Sequence, residues 1–136
     1  MNALITVKSS SNLDREEIIE VISPGIFQKT SYGYILQYEE TKLSGMEGTT
    51  TYVKIEEDKF TLEREGSVTT KMEFIKDTST ISLYNTPYGM LDLRVRALEI
   101  EVNMNDDGGF VKSQYEMLLT GQAPIVTDIT IQVKIK

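Results

Sequence analysis

Phe60-Thr-Leu-Glu-Arg-Glu-Gly-Ser-Val-Thr-Thr-Lys-Met-Glu-Phe74 decides how this chain is read. Phe60 and Leu62 alternate with polar residues on one arm, and Val68, Met72 and Phe74 do so on the other. A period of two is the signature of a strand with one buried face. Between the arms stand an arginine, a glutamate and a glycine. Opposed residues in a hairpin share a face, so matching apolar sets fixes whether a loop is odd or even. Leu62 against Val68 demands an odd loop, and Arg64-Glu65-Gly66 fits one, with Gly66 at the left-handed position. Simple alternation puts Arg64 inside beside Leu62, whereas this loop moves it to the rim.

The same test works outward along the chain. Val53 and Ile55 against Phe60 and Leu62 demand an even loop, which Glu57-Asp58 supplies with Ile55 opposite Phe60. Met72 and Phe74 against Ile81 and Leu83 demand another, and Asp77-Thr78 satisfies it as a hairpin turn. Asp107-Gly108 is the strongest hairpin signal, pairing Met104 with Val111 and Ile100 with Tyr115. The strand before it has a fault in its pattern. Leu91, Leu93 and Val95 are odd, but Leu98, Ile100, Val102 and Met104 are even. A β-bulge or sharp bend near Arg96-Ala97 would switch the inward face in this way.

Ala3, Ile5 and Val7 mark a first strand, and Ile129, Ile131, Val133 and Ile135 a last one. Asp14 to Ile22 has an acidic start suited to a helix, but Ile18, Ile19, Val21 and Ile22 are β-branched and favour a strand. Pro24-Gly25 then turns or kinks the chain. Tyr34, Leu36 and Tyr38 alternate in the next strand. The expectation is all-β: an antiparallel up-and-down meander barrel of about 8–10 strands forming a single β-barrel domain over residues 1–136. Pairing the first strand with the last would remove both sheet edges. An open two-sheet sandwich is the alternative architecture.

Composition narrows the chemistry. The chain has 136 residues, no cysteine and no histidine. Disulfides, thiolate metal sites and triads built on histidine are therefore absent. The formal net charge is -7, which repels phosphate backbones and anionic lipid. No nucleic-acid or membrane partner is expected. No leader-like or membrane-spanning apolar run is seen, so a cytoplasmic location is expected. No cofactor motif or catalytic spacing occurs, and the expectation is a protein that is not an enzyme.

Several short stretches carry a family resemblance. Tyr38-Glu39-Glu40, Thr51-Tyr-Val-Lys54, Arg64-Glu-Gly66, Met72-Glu-Phe74 and Tyr84-Asn-Thr-Pro-Tyr-Gly89 resemble the YwiB-like family. These are small bacterial proteins of unknown function with a lipocalin-like (calycin) barrel. The resemblance implies a barrel and no established ligand or catalytic residue. It covers the middle of the chain better than its N-terminal third.

Polar residues at inward positions are the candidate site. Glu40 continues the face of Tyr34, Leu36 and Tyr38, while Thr51, Thr70, Ser113 and Tyr115 also fall inward. Arg64, Glu40, Tyr38 and Tyr115 are the candidates to line a site for a small amphipathic or anionic ligand. An arginine there can meet a carboxylate bidentately. The plain alternative is that these groups satisfy one another, or that Arg64 and Glu40 sit at a solvated mouth. Asn103-x-Asn105-x-Asp107-Gly108, with Gln114 further on, imitates a calcium loop but replaces its first and last carboxylates by neutral amides. Turn chemistry explains it, and no metal is expected. Glu39-Glu40 and Glu56-Glu57-Asp58 are read as solvated charges, because adjacent strand residues point to opposite faces. Outward parity for Tyr52 and Tyr84 leaves a homodimer or a protein-interaction module with a packed interior as the other functional reading.

Overall fold

The computed structural model describes residues 1–12, 14–42, 46–67, 69–86, 89–118 and 123–136. The readings of Val68, Pro87 and Tyr88, and the side-chain readings of Leu83, Tyr84 and Leu91, lie outside the described residues and side chains.

Ten strands follow one another in the order β1 (Asn2–Ser11), β2 (Asp14–Lys29), β3 (Tyr34–Glu39), β4 (Thr49–Ile55), β5 (Lys59–Gly66), β6 (Thr70–Ile75), β7 (Ser79–Thr86), β8 (Gly89–Asn105), β9 (Gly108–Leu118) and β10 (Ile125–Ile135). All belong to one antiparallel sheet in the spatial order β6-β5-β4-β3-β2-β1-β10-β9-β8-β7. The first strand pairs with the last, from Ala3 opposite Ile135 to Ser11 opposite Thr127. The chain ends are tied in as well. The Met1 amine donates to the Phe27 carbonyl at 3.0 Å, and the Lys136 amide to the Asn2 carbonyl at 3.1 Å.

That order moves the open edges. Closure of β1 on β10 was expected to remove both edges. Instead, the two ends of the sheet are β6 and β7, which are consecutive in the chain. The expected β6–β7 hairpin is therefore corrected. A tight turn does occupy Asp77-Thr78, with the Thr78 amide on the Ile75 carbonyl and Asp77 at φ 59°. The Asp77 amide, however, donates to the Ala97 carbonyl of β8, and Lys76 bridges Ala97 in parallel. The turn thus anchors to β8 and starts no ladder between β6 and β7. Ile81, expected inside, is 69% exposed. Thr80 spans the seam by donating its hydroxyl to the Glu73 carbonyl at 3.0 Å.

Local readings fare unevenly. Ile55 opposes Phe60 across Glu57-Asp58 as expected. The register shift between Ala97 and Glu99 is the bulge expected in β8, leaving Leu93, Val95 and Ala97 buried before it. The β8–β9 turn is Asp106-Asp107, one residue earlier than expected, so Val102 opposes Val111 and Ile100 opposes Ser113. Gly108 follows at φ 107°, the left-handed region that glycine occupies without penalty. β2 runs straight through Pro24-Gly25, and the chain turns instead at 30–33, where the Gly33 amide donates to the Thr30 hydroxyl.

The core occupies the barrel interior in register-aligned layers. Tyr34, Ile55, Phe60 and Phe74 form one layer across β3 to β6, and Leu36, Val53, Leu62 and Met72 the next. Phe60 and Phe74 stack at a centroid distance of 4.4 Å, and Tyr115 meets Phe74 edge-on at 4.9 Å. Burying such apolar side chains is the main driving force for the fold, at roughly 1.5–3 kcal/mol for each one fully enclosed.

Candidate functional site

One step further along the same four strands, the interior changes character. The next layer is Tyr38, Thr51, Arg64 and Thr70, each opposite its neighbour in the sheet. Strand alternation turns all four inward. This places Arg64 differently from the sequence reading. Leu62 opposes Met72 and Arg64 opposes Thr70, so the chain turns over residues 65–69. Arg64 is a strand residue of the inner face, half-buried, and not part of a three-residue turn at the rim. The parity was right and the loop was longer, since three and five residues leave the same faces aligned.

Glycine makes room for this layer. Gly25 lies opposite Tyr38, and a methyl group there would meet the Gln37 carbonyl, the Ile5 side chain and Cβ of Tyr38. Any side chain at this position would displace Tyr38 or the strand beneath it.

Glu40 follows Tyr38 and is only 8% exposed. Its Oε1 accepts a hydrogen bond from the Thr51 hydroxyl at 2.6 Å. Tyr38 is 5% exposed, and burial above all pushes its phenol well above the usual tyrosine value; the Glu40 charge pushes the same way and Arg64 opposes it. Tyr115, 7% exposed, is also raised by burial, with Arg64 and the Thr127 hydroxyl acting against the shift. The structure therefore gathers Arg64, Glu40, Tyr38 and Tyr115 into one neighbourhood of the barrel interior.

Two groups in it are unsatisfied. The Nε of Arg64 and the hydroxyl of Thr70 are enclosed and lack hydrogen-bond partners among the described residues. Arg64 and Glu40 also form no ion pair, with each other or with any other described residue. Leaving a buried donor unmade costs on the order of 1–3 kcal/mol, and more when it is charged. Arg64 and Thr70 further belong to the wall of a surface cleft of about 740 Å³ beside the β6–β7 seam, with Lys71, Glu73, Thr80 and Ile81. Tyr38, Glu40 and Tyr115 do not line that cleft. Its other walls are four charged side chains, Glu63, Glu65, Lys71 and Glu73, with Thr69, Thr80 and Ile81, while Arg64 and Thr70 form its boundary with the interior.

Alternation found Thr51 and Thr70, but Thr127 and Ser23 escaped notice. Thr127 interrupts the run Ile125, Ile129, Ile131, Val133 at an inward position, and it opposes Tyr115. Ser23 stands between buried Val21 and Phe27, with its hydroxyl also unpartnered. A polar residue interrupting an apolar series was the available signal in both cases.

The other candidates resolve plainly. The Asp107 amide donates to the Asn105 side chain at 2.8 Å, a turn-forming contact, and the segment lies between two strands. No cluster of three acidic groups fit for a metal occurs among the described residues. On the outer face, Tyr52 is half-buried, while Ile18, Ile22 and Ile26 of β2 are exposed. No helix among the described residues is long and apolar enough to cross a membrane.

Comparison with known proteins places this geometry. A family described as "Domain of unknown function (DUF1934)" matches residues 5–131. The uncharacterized beta-barrel protein YwiB of Bacillus subtilis (strain 168) is 26% identical over 117 residues, which covers 85% of this chain and 80% of that protein. The crystal structure of the ywiB protein from Bacillus subtilis superposes with a TM-score of 0.87 at 24% identity, over 99% of this chain and 92% of that one. That structural likeness bears on the fold: both are all-β barrels. No enzymatic activity is named for the family or for this relative.

Proposed function

We infer the following for a chain that belongs to the DUF1934 family: it is a non-enzymatic binding protein that holds a small anionic or amphipathic ligand at the polar end of its barrel. The observation that carries this reading is the pair formed by Arg64 Nε and Thr70 Oγ1, adjacent in register, enclosed and unpartnered. Native interiors seldom leave such donors unmade. A carboxylate or similar anion would accept from both, and a charge-assisted bond to arginine is about twice as strong as a neutral one. The seam cleft reaches Arg64 and Thr70 from outside and supplies a way in. Tyr38 and Tyr115 offer aromatic surface to the ligand's apolar part. A cytoplasmic setting and a single barrel domain over residues 1–136 belong to the same reading.

The test is Thr70→Val. It removes the unpartnered hydroxyl while keeping the side chain's shape. We expect thermal stability unchanged or raised by up to about 1 kcal/mol, with weaker retention of small carboxylates in native mass spectrometry. A stability loss with unaltered binding would show that Thr70 is structural.

The alternative is an interaction module working through its outer face. The exposed Ile18, Ile22 and Ile26 favour it. Light scattering at high protein concentration decides: a monomer that binds no second copy removes the homodimer form of this reading.

A further inference from the structure

We propose that the polar layer is built for a small zwitterion of the amino-acid class, its carboxylate on Arg64 and Thr70 and its ammonium on Glu40. This rests on the anion-binding reading above and adds the second charge to it.

Two charges share this site without meeting. Arg64 and Glu40 come from strands two apart in the sheet, and both flank Thr51. Arg64 is directly opposite Thr51 in register, and the Glu40 carboxylate takes the Thr51 hydroxyl at 2.6 Å. A half-buried guanidinium and a buried carboxylate on either side of one threonine would be expected to pair with each other, because that offsets the cost of burying charge. They do not pair. Glu40 is engaged by a neutral hydroxyl, which leaves its charge uncompensated, and the Arg64 Nε has no partner among the described residues.

A purely anionic ligand would satisfy Arg64 but bring a second negative charge towards Glu40. A purely cationic one would do the reverse to Arg64. A molecule carrying both charges neutralises each residue, and its dipole runs along the line from Arg64 to Glu40. A carboxylate offers about four acceptor positions, so Glu40 can keep Thr51 and still accept from an ammonium. An apolar ligand side chain would rest against Tyr115, whose ring meets Phe74 edge-on at 4.9 Å.

A matched trio of probes tests this by calorimetry: L-leucine, 4-methylpentanoate, which lacks the amine, and isoamylamine, which lacks the carboxylate. The expected result is that leucine binds at least about tenfold more tightly than either half, the effect of one charge-assisted hydrogen bond. Glu40→Gln, which keeps an acceptor for Thr51 but removes the negative charge, should close the gap between the two, weakening leucine and strengthening 4-methylpentanoate. If 4-methylpentanoate binds the native protein as tightly as leucine, the zwitterion proposal is overturned and the anion site stands. If none of the three binds, both readings fall. Because the trio is measured on the native chain, a variant that fails to fold does not rescue the proposal.

Discussion

The two ends of the barrel interior are made by the same four strands, only four residues apart along each, and they solve opposite problems. At one end Ile55, Phe60 and Phe74 interlock through apolar side chains, and the hydroxyl of their layer, on Tyr34, is satisfied by Asp106. At the other, Tyr38, Thr51 and Thr70 carry hydroxyls into an equally enclosed space, and half-buried Arg64 brings a charge to its edge. The first end is built for stability. The second gives some of it away, because each unmatched donor opposes folding. The contrast teaches where to look for function in a barrel without histidine or cysteine: at the layer where packing stops being self-sufficient.

The comparison breaks most visibly at Phe74. Phe74→Ala removes both the stack on Phe60 and the edge contact with Tyr115, and it opens a cavity between the layers. We expect a loss of about 3–5 kcal/mol in urea unfolding. A loss under about 1 kcal/mol would mean that the apolar end is not the stabilising one.

Thr51→Val is the matching experiment at the polar end. It keeps the volume but leaves the Glu40 carboxylate without its donor. The expected cost is about 1–3 kcal/mol, smaller than at Phe74, and it should shrink when Glu40→Gln is combined with it. Equal costs in the single and double variants would show that the bond is not what Thr51 contributes.

The gentlest probe is alkali, which does nothing at neutral pH. Burial holds Tyr38 and Tyr115 protonated above the ordinary tyrosine value of 10.0, and Glu40 reinforces this at Tyr38. Both folded-state values are raised. Their contribution to stability is therefore fully present below pH 10.0 and is lost as pH rises from there through the folded values, since the unfolded chain ionises first. Denaturation midpoints should fall progressively above pH 10.0, and Tyr115→Phe should flatten part of that slope. A profile unchanged in the variant would place Tyr115 outside this effect.

How far the sequence could be read follows from what alternation encodes. It records which face a residue takes, and so it gave Arg64 an inward place and located the bulge in β8 from the switch between Val95 and Leu98. It does not record how long a loop is when two lengths share a parity. That is why the β5–β6 register shifts by an even step and Arg64 leaves the rim, whereas the β8–β9 turn keeps two residues and moves by one position, which also preserves parity. Nor does it record which strand edge accepts a hydrogen bond. Asp77-Thr78 has the length of a hairpin turn, yet its amide goes to Ala97. The four site residues were legible singly as polar positions on inward faces. Their convergence was not, because it depends on register and closure.

The seam between β6 and β7 has one more consequence. The covalent ends of this chain meet in the middle of the sheet, while the ends of the sheet meet in the middle of the chain. Every ladder joins neighbouring strands except that of β1 with β10, which must bring together Ala3 and Ile135. That contact spans nearly the whole polypeptide, carries the largest closure entropy and sets a brake on the folding rate. A circular permutant with the natural termini joined and the backbone cut at Asp77 would make every ladder local. Its new ends would fall where the sheet already stops.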